Sequence, residues 1–422
     1  MADIHRLLSR RLLYVDRPNG KRVRVTTVRI AALGVGVGFA FILLSLFIVS
    51  GFKYEIREKI NGFTGNLRIF HPDNAYGQYS HPLTVSDELM EKLCEALSKE
   101  MPGALLTPYV DQMVLLKSDS AYVGALAHGV GTDYDRHFYS AYLTKGSLPT
   151  MEKDGEGSAP ELLLSDKSAE TLGLSPGESI TGYFFSEGRV RVRKFVLSGT
   201  FSTGYKDYDD AYALTDLQTL QTVNDWGAND YGGIEVRLPE YDQTERAYDL
   251  LYPVLYEDSK SGTSYTMYTA QDMSPVMFGW VDLLDTNVQL ILILAICIAA
   301  MIMTTGIIVV ILQKTHTIAI LKALGMRNGD LRRSFRNLSI SVIARGLIWG
   351  NVIAIGLGLL QKYGKWIKLD PTQYYMDAVP VRMEIGSLLG ANLLTFVVLY
   401  VIMYIPTLVI SEIKPVKVLR FE

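Results

Sequence analysis

Four nearly uncharged apolar windows interrupt the chain, at Ile30 to Phe52, Val288 to Leu312, Leu338 to Leu360 and Ile385 to Ile410. Each is long enough to cross a hydrocarbon core about 30 Å thick at about 1.5 Å per residue, so the pattern predicts four transmembrane helices. Arg345 lies inside the third window. It is read as an arginine near one end whose head reaches the headgroups. The first window is read as an anchor and not a signal peptide, because its basic flank is long and no small-residue cleavage site follows. Before it, Ile4, Leu7, Leu8, Leu12 and Val15 recur at helical spacing. This predicts an amphipathic helix on the membrane surface.

The 235 residues between the first two windows carry shorter periods. Asn66 to His71 reads as a strand, Ser86 to Glu100 as a helix opened by a serine cap, and Ala104 to Leu116 as a strand. The same order returns at Gly233 to Leu238, Gln243 to Leu255 and Ser264 to Thr269. Two βαβ units so separated predict a split ferredoxin-like layer with residues about 118–231 as a β-rich insertion. Within that insertion, Glu161 to Ser165 is a strand and Asp166 to Gly173 a helix; the stretches on either side of a tight turn at Ser186, Glu187 and Gly188 alternate at period two. Tyr205 to Tyr212 reads as a solvated acidic loop, since the spacing and glycine of a calcium loop are missing. The fold class expected is therefore membrane α-helical with four transmembrane helices plus an α+β extracytoplasmic domain.

Charge sets the orientation. Residues 1–29 hold eight basic and two acidic side chains, 313–337 six and one, and 411–422 three and two, which puts these segments and both termini in the cytoplasm. Residues 53–287 hold 19 basic and 36 acidic side chains and 361–384 four and three, so they lie outside. The expected order is a cytoplasmic amphipathic segment (1–29), a first span (30–52), a large extracytoplasmic domain (53–287) and a second span (288–312). A cytoplasmic coupling segment (313–337), a third span (338–360), a short outer loop (361–384), a fourth span (385–410) and a cytoplasmic tail (411–422) follow. The total charge of −3 is thus a cancellation, and a mean hydropathy of +0.17 with 49% hydrophobic residues fits a membrane protein with a large polar domain. Cys94 is expected outside and Cys297 within the second span, so the two cannot form a disulfide.

No GxxxxGK[ST], HExxH, GxSxG or CxxC occurs, and the six histidines show no metal-ligand spacing. The chain is therefore read as a non-enzymatic subunit with no metal site or cofactor of its own, so that any dependence on ATP must come from a partner. Gly34, Gly36 and Gly38 in the first window, and Gly346, Gly350, Gly356 and Gly358 in the third, are read as small-residue packing seams.

The most informative stretch is Gln313 to Asn337, with a short helix at Thr317 to Leu324, a helix-ending glycine at Gly325 and a second basic helix after it. Ile318, Ile320, Leu321 and Leu324 give the first helix an apolar face suited to a groove on a cytosolic partner. The run AILKALGMRNGDLRRSF resembles the coupling segment of FtsX-type permeases, which include the LolC and LolE lipoprotein-releasing subunits and the exporter MacB. FIVSGFKYEIREKINGFTGNLRIF, LGLSPGESI, VLSGTFSTGYKDYDDAYAL, GIEVRL, WVDLLDTN, YYMDAVPV and PVKVLRFE are similar to the LolC/LolE branch in the same order.

The resemblance implies an inner-membrane ABC transporter subunit that couples ATP hydrolysis by a separate cytosolic subunit to release of lipoproteins toward the outer membrane. Carried over, Ile318, Ala319, Ile320, Leu321, Lys322, Ala323, Leu324, Gly325 and Met326 would dock the ATPase. Ser50, Gly51 and Phe52, with Trp280, Leu283, Leu284 and Asn287, would border the cavity that receives lipid chains. The implied partners are the ATPase, a second permease subunit, identical or paralogous, the lipoprotein substrates and a periplasmic lipoprotein carrier. Members of the LolC kind hook the carrier with a long hairpin, whereas the matching place here, Tyr183 to Arg193, has only the tight turn. Alternatives from other classes are an FtsX-like mechanotransmission subunit that drives a periplasmic cell-wall hydrolase, and a MacB-like exporter subunit.

Overall fold

The computed structural model describes residues 14–16, 22–24, 26–75, 80–119, 121–151, 159–186, 189–370 and 374–412. The chain divides into two compact units, one of Met1–Tyr54, Trp280–Lys368 and Val379–Glu422, the other of Glu55–Gly279 with Leu369–Ala378. Most of the amphipathic segment expected at the start lies outside the described residues. Its Val15 is in a strand, Tyr14–Asp16, that pairs antiparallel with Arg22–Arg24, and not in a helix.

Four helices in the described residues are long and apolar enough to cross a membrane: Arg29–Thr64, Pro275–Gln313, Asn328–Gly364 and Ile385–Leu408. Three of them outrun their apolar windows. The first continues past Phe52 because Ile56, Ile60 and Phe63 keep helical spacing through the charged stretch and are all buried. The second starts at Pro275, where a missing N–H costs nothing. The third begins at Asn328, and Arg345 is half-buried along it. The fourth breaks at Met403, between Ile385–Ile402 and Tyr404–Glu412. Pro406 explains the break, because its ring collides with the carbonyl four residues earlier.

The glycines sort by the neighbour they admit. A Cβ on Gly34 would meet Ile302 at 2.5 Å, and one on Gly350 the carbonyl oxygen of Gly36 at 2.8 Å. Gly346 likewise admits Val35 at 2.6 Å and Gly358 admits Met383 at 2.6 Å, whereas nothing lies within 4 Å at Gly356. Gly356 is thus outside the seam that its spacing suggested. Asn351 and Asn392 exchange side-chain hydrogen bonds at 2.8 and 3.1 Å, joining the third and fourth helices.

The main sheet of the other unit has ten strands among the described residues: β1 (Leu67–Phe70), β2 (Leu105–Lys117), β3 (Tyr122–Val130), β4 (Leu143–Gly146), β5 (Glu161–Ser165), β6 (Ser179–Ser186), β7 (Arg189–Phe201), β8 (Tyr212–Asp216), β9 (Gly233–Arg237) and β10 (Thr266–Thr269). The order β10-β1-β9-β2, antiparallel throughout, is the split ferredoxin-like layer. Its helices Asp87–Ser98 and Thr244–Ser259 pack on one face through Leu89, Leu93, Leu97, Ala247, Leu251 and Leu255, over Leu67, Ile69, Ile234 and Val236. Ser86 caps the first of them by accepting from the Leu89 N–H at 3.1 Å.

The insertion is not a separate sheet. β2 is 13 residues long and passes from the layer into the insertion, where β2, β3, β8, β5, β7 and β6 pair in turn and β6 returns to β2. This is a closed six-stranded barrel filled by Val114, Phe184, Phe195, Leu162 and Leu197. β6 and β7 meet at Ser186 opposite Arg189. The region read as a solvated acidic loop is ordered: Lys206–Asp209 is a short helix and Tyr212 starts β8. Asp209 is buried and accepts from the Thr203 N–H at 3.1 Å, the Thr203 hydroxyl at 2.6 Å and the Gly204 N–H at 3.1 Å. Apolar rings of Tyr208 and Tyr212 drive the chain inward, and the acid becomes a loop-closing acceptor.

Candidate functional site

Two places in the structure stand out, and the first is the segment expected to couple to a partner, residues 313–337. Its helix is Thr315–Ala323, followed by Leu324 and by Gly325 at φ +92°. The Gly325 N–H donates to the Lys322 carbonyl at 3.0 Å and the Met326 N–H to that of Leu321 at 3.0 Å. This is a Schellman closure, which only a residue tolerant of left-handed backbone completes without strain. The apolar positions divide. Ile318 and Ala319 are fully buried among the membrane helices, with Leu321 and Met326 packed beside them. Ile320 is 41% and Leu324 79% exposed, and Ala323 and Gly325 are exposed with them. Ile318 and Ala319 therefore seat the segment on its own unit, and only Ile320, Ala323, Leu324 and Gly325 are offered outward. Burial and the nearby Arg332 lower the Lys322 ammonium from its ordinary value.

The second place was not expected from the sequence. The first helix ends at Thr64, and a helix end leaves its last carbonyls without partners. Here they are taken by two buried arginines of the sheet. Arg68 donates to the Thr64 carbonyl at 2.9 Å and the Phe63 carbonyl at 3.0 Å, and Arg237 donates to the Gly62 carbonyl at 2.9 Å. The Gly65 N–H closes on Asn61 at 2.8 Å.

The guanidinium groups are in turn neutralised. Arg68 pairs with Asp111 at 2.7 Å and Glu235 at 3.4 Å; Arg237 pairs with Glu235 at 2.6 Å. His128 Nδ1 is 2.6 Å from the second Asp111 oxygen, and the Tyr134 hydroxyl accepts from Arg237 at 2.6 Å. Burial opposes ionisation of Asp111, but Arg68 and His128 outweigh it and hold the carboxyl below its ordinary range. Two arginines against two carboxylates leave the clasp balanced, as a buried ionic cluster must be. Glycines make the approach fit. A Cβ on Gly62 would strike the Phe138 ring at 2.1 Å, and one on Gly65, at φ +69°, would strike Glu235 at 2.4 Å. Phe63 fills the space between them, edge-on to Phe138 at 5.0 Å. The GFTG run is part of the stretch that resembles the LolC/LolE branch; the sequence signal of the clasp itself is two arginines and two acids, Arg68, Asp111, Glu235 and Arg237, within strands.

The residues carried over as a lipid cavity fall on two helices. Lys53 pairs with Asp285 at 2.6 Å, which sets Ser50, Gly51 and Phe52 beside Trp280, Leu283, Leu284 and Asn287. Leu283 is 62% exposed and Asn287 is exposed; Ser50, Phe52, Trp280 and Leu284 are half-buried. Gly51 is buried, and a Cβ there would collide with the Pro380 carbonyl oxygen at 2.5 Å, so its smallness serves packing. In the outer loop, Tyr375, at φ +59°, accepts from Lys59 through its carbonyl at 2.7 Å and sits edge-on to Tyr205 at 4.7 Å. The middle of that loop, Leu369–Ala378, therefore belongs to the sheet-containing unit.

This architecture, four membrane-capable helices with a split layer and barrel inserted after the first, defines a membrane protein with an extracytoplasmic α+β domain. Residues 30–251 match the family described as MacB-like periplasmic core domain, and residues 289–415 match the FtsX-like permease C-terminal. The chain belongs to the family of the MacB-like periplasmic core domain, joined to an FtsX-like permease half, and is a permease component of the ABC-transporter kind. It is 22% identical to a protein named lipoprotein-releasing system transmembrane protein LolC of Xylella fastidiosa, with 98% of this chain and 97% of that protein covered. It is 23% identical to the LolC protein of Neisseria meningitidis over 100% of both chains, and 22% identical to a LolE protein of Haemophilus influenzae over 84% and 85%. Among solved structures, the periplasmic region of MacB from Actinobacillus actinomycetemcomitans is matched at 16% identity and a TM-score of 0.34, covering 53% of this chain and 97% of that one.

Proposed function

We propose that this chain couples ATP hydrolysis by a separate cytosolic subunit to release of lipoproteins from the inner membrane toward the outer membrane. The observation that carries the reading is similarity from end to end to proteins named for lipoprotein release. Ile320 and Leu324 form the contact with the ATPase, which binds ATP and magnesium. Both termini face the cytoplasm, a second permease subunit completes the membrane part, and Ser50 to Phe52 with Trp280 to Asn287 border the entry for acyl chains.

The physics asks for an external energy source. Each methylene drawn out of a bilayer costs about 0.8 kcal/mol, so an acylated anchor does not leave unaided on a useful timescale. The clasp at Thr64 is a joint through which movement of the first helix is passed to the sheet. The experiment is depletion in cells. Outer-membrane lipoproteins should then accumulate in the inner membrane; normal sorting after complete depletion would overturn the reading. Co-purification of a cell-wall hydrolase would replace it with the FtsX-like alternative, and drug or peptide sensitivity with unaltered lipoprotein sorting would point to the MacB-like one.

A further inference from the structure

The face of the ferredoxin-like layer opposite its two helices is only partly covered. Strand alternation sends Arg68 and Phe70 of β1, and Tyr109, Asp111 and Met113 of β2, to this face, while Leu67 and Ile69 go to the helical side. Next to the clasp the face opens into a trough of about 470 Å³, within the size range of ligand sites. Its floor is the buried Arg68–Asp111 pair. One wall is Phe70 edge-on to Tyr268 at 5.2 Å, and another is Tyr208 stacked on Tyr212 at 5.4 Å. Met113, 57% exposed, and Met273 line it too, with Asn74 and Ser80 at the rim.

Three chemical features select the occupant. Arg68 already has Thr64, Phe63, Asp111 and Glu235 as partners, so the floor has no donor set free for a phosphate or carboxylate. An acyl chain laid over an ion pair would desolvate it without any return. An extended peptide suits both constraints, because its amide groups meet polar groups at floor and rim while its side chains meet the rings. Tyrosine and methionine walls also tolerate varied sequences, since tyrosine offers area at low entropy cost and methionine adapts its shape.

We propose that this trough holds the extended peptide that follows the acylated N-terminus of a lipoprotein while its anchor is being withdrawn. The assignment rests on the lipoprotein-release reading. Because Thr64 and Arg68 belong to both trough and clasp, an occupant touches the groups that hold the end of the first helix.

The test uses the full chain in nanodiscs with a photoreactive benzoylphenylalanine at Met113, or at Lys92 among the layer's helices as a control. The probes are a fluorescent triacylated lipopeptide with an eight-residue Ser/Gly/Asn tail and the same lipid on a lone cysteine. The expected result is crosslinking at 113 with the tailed probe alone, background at 92, and retention of both probes. Tyr268→Ala should weaken the tail-dependent part of binding by about tenfold and leave binding of the tail-less probe unchanged. Retention of both probes with no tail-dependent crosslink at 113 would overturn the trough and spare the release reading. Failure to retain either probe would overturn the release reading, and the assignment built on it.

Discussion

The coupling turn and the clasp solve opposite problems. At the turn after Thr315–Ala323, the Schellman closure satisfies the backbone locally, and Ile320 and Leu324 remain uncovered. At the end of the first helix the backbone is satisfied from afar: the carbonyls of Gly62, Phe63 and Thr64 are all engaged, and the arginines that engage them are neutralised by Asp111 and Glu235. The turn thus combines a self-sufficient backbone with uncovered apolar area. The helix end relies on long-range partners, because a buried carbonyl left without one costs free energy.

The largest break in this comparison should come from removing one side of the clasp. Arg68→Met leaves Asp111 and the buried Glu235 short of a cation, and loss of one partner of a buried pair costs roughly 3–5 kcal/mol. Urea unfolding or limited proteolysis of the full chain should show the loss, and an unchanged midpoint would show that the clasp bears little.

The membrane helices offer an internal control of intermediate size. Gly350→Leu forces atoms into a space where Gly36 approaches within 2.8 Å, and overpacking costs roughly 1–3 kcal/mol, while Gly356→Leu meets open space. Thermal unfolding in detergent should drop for the first alone. Equal effects would dissolve the distinction between seam and surface.

A sharper probe of the open site is Leu324→Asp, which should leave folding intact and weaken association with the ATPase by about tenfold or more in co-purification. Ile318→Asp, at a fully buried position, should instead destabilise the membrane unit. Undiminished ATPase association in the Leu324 variant would remove that residue from the interface.

The smallest effect is that of pH. The Asp111 carboxyl is held below its ordinary value, so its contribution to stability is present above the unfolded carboxylate value near about 4 and is lost as pH falls through its lower folded value. Asp209 has the opposite sign, because burial raises it, so its ionised form weighs against the fold and protonation relieves that cost. The acid-side loss of stability should therefore be shallower in Asp111→Asn than in the unaltered chain, and identical slopes would contradict the assignment.

Much of this architecture was legible in the chain. The ferredoxin-like order followed from two separated βαβ patterns, because alternation and helical period are local properties. The sites were legible only in part. The apolar face of the coupling helix was visible, yet its division into Ile318 and Ala319 inward and Ile320 and Leu324 outward depends on which side the membrane helices occupy. The barrel was hidden because its closure is the pairing of β6 with β2, a contact far apart in sequence.

By itself, then, the sequence determined four apolar spans, an acidic folded insertion and a basic turn with a glycine stop, since each rests on short-range periodicity or summed charge. Only the tertiary structure decided that Arg68, Asp111, His128, Glu235 and Arg237 meet at the last carbonyls of the first helix. Their neutralisation is pairwise and long-range, between strands as far apart as β1 and β9, and no local pattern records which buried charge will answer which.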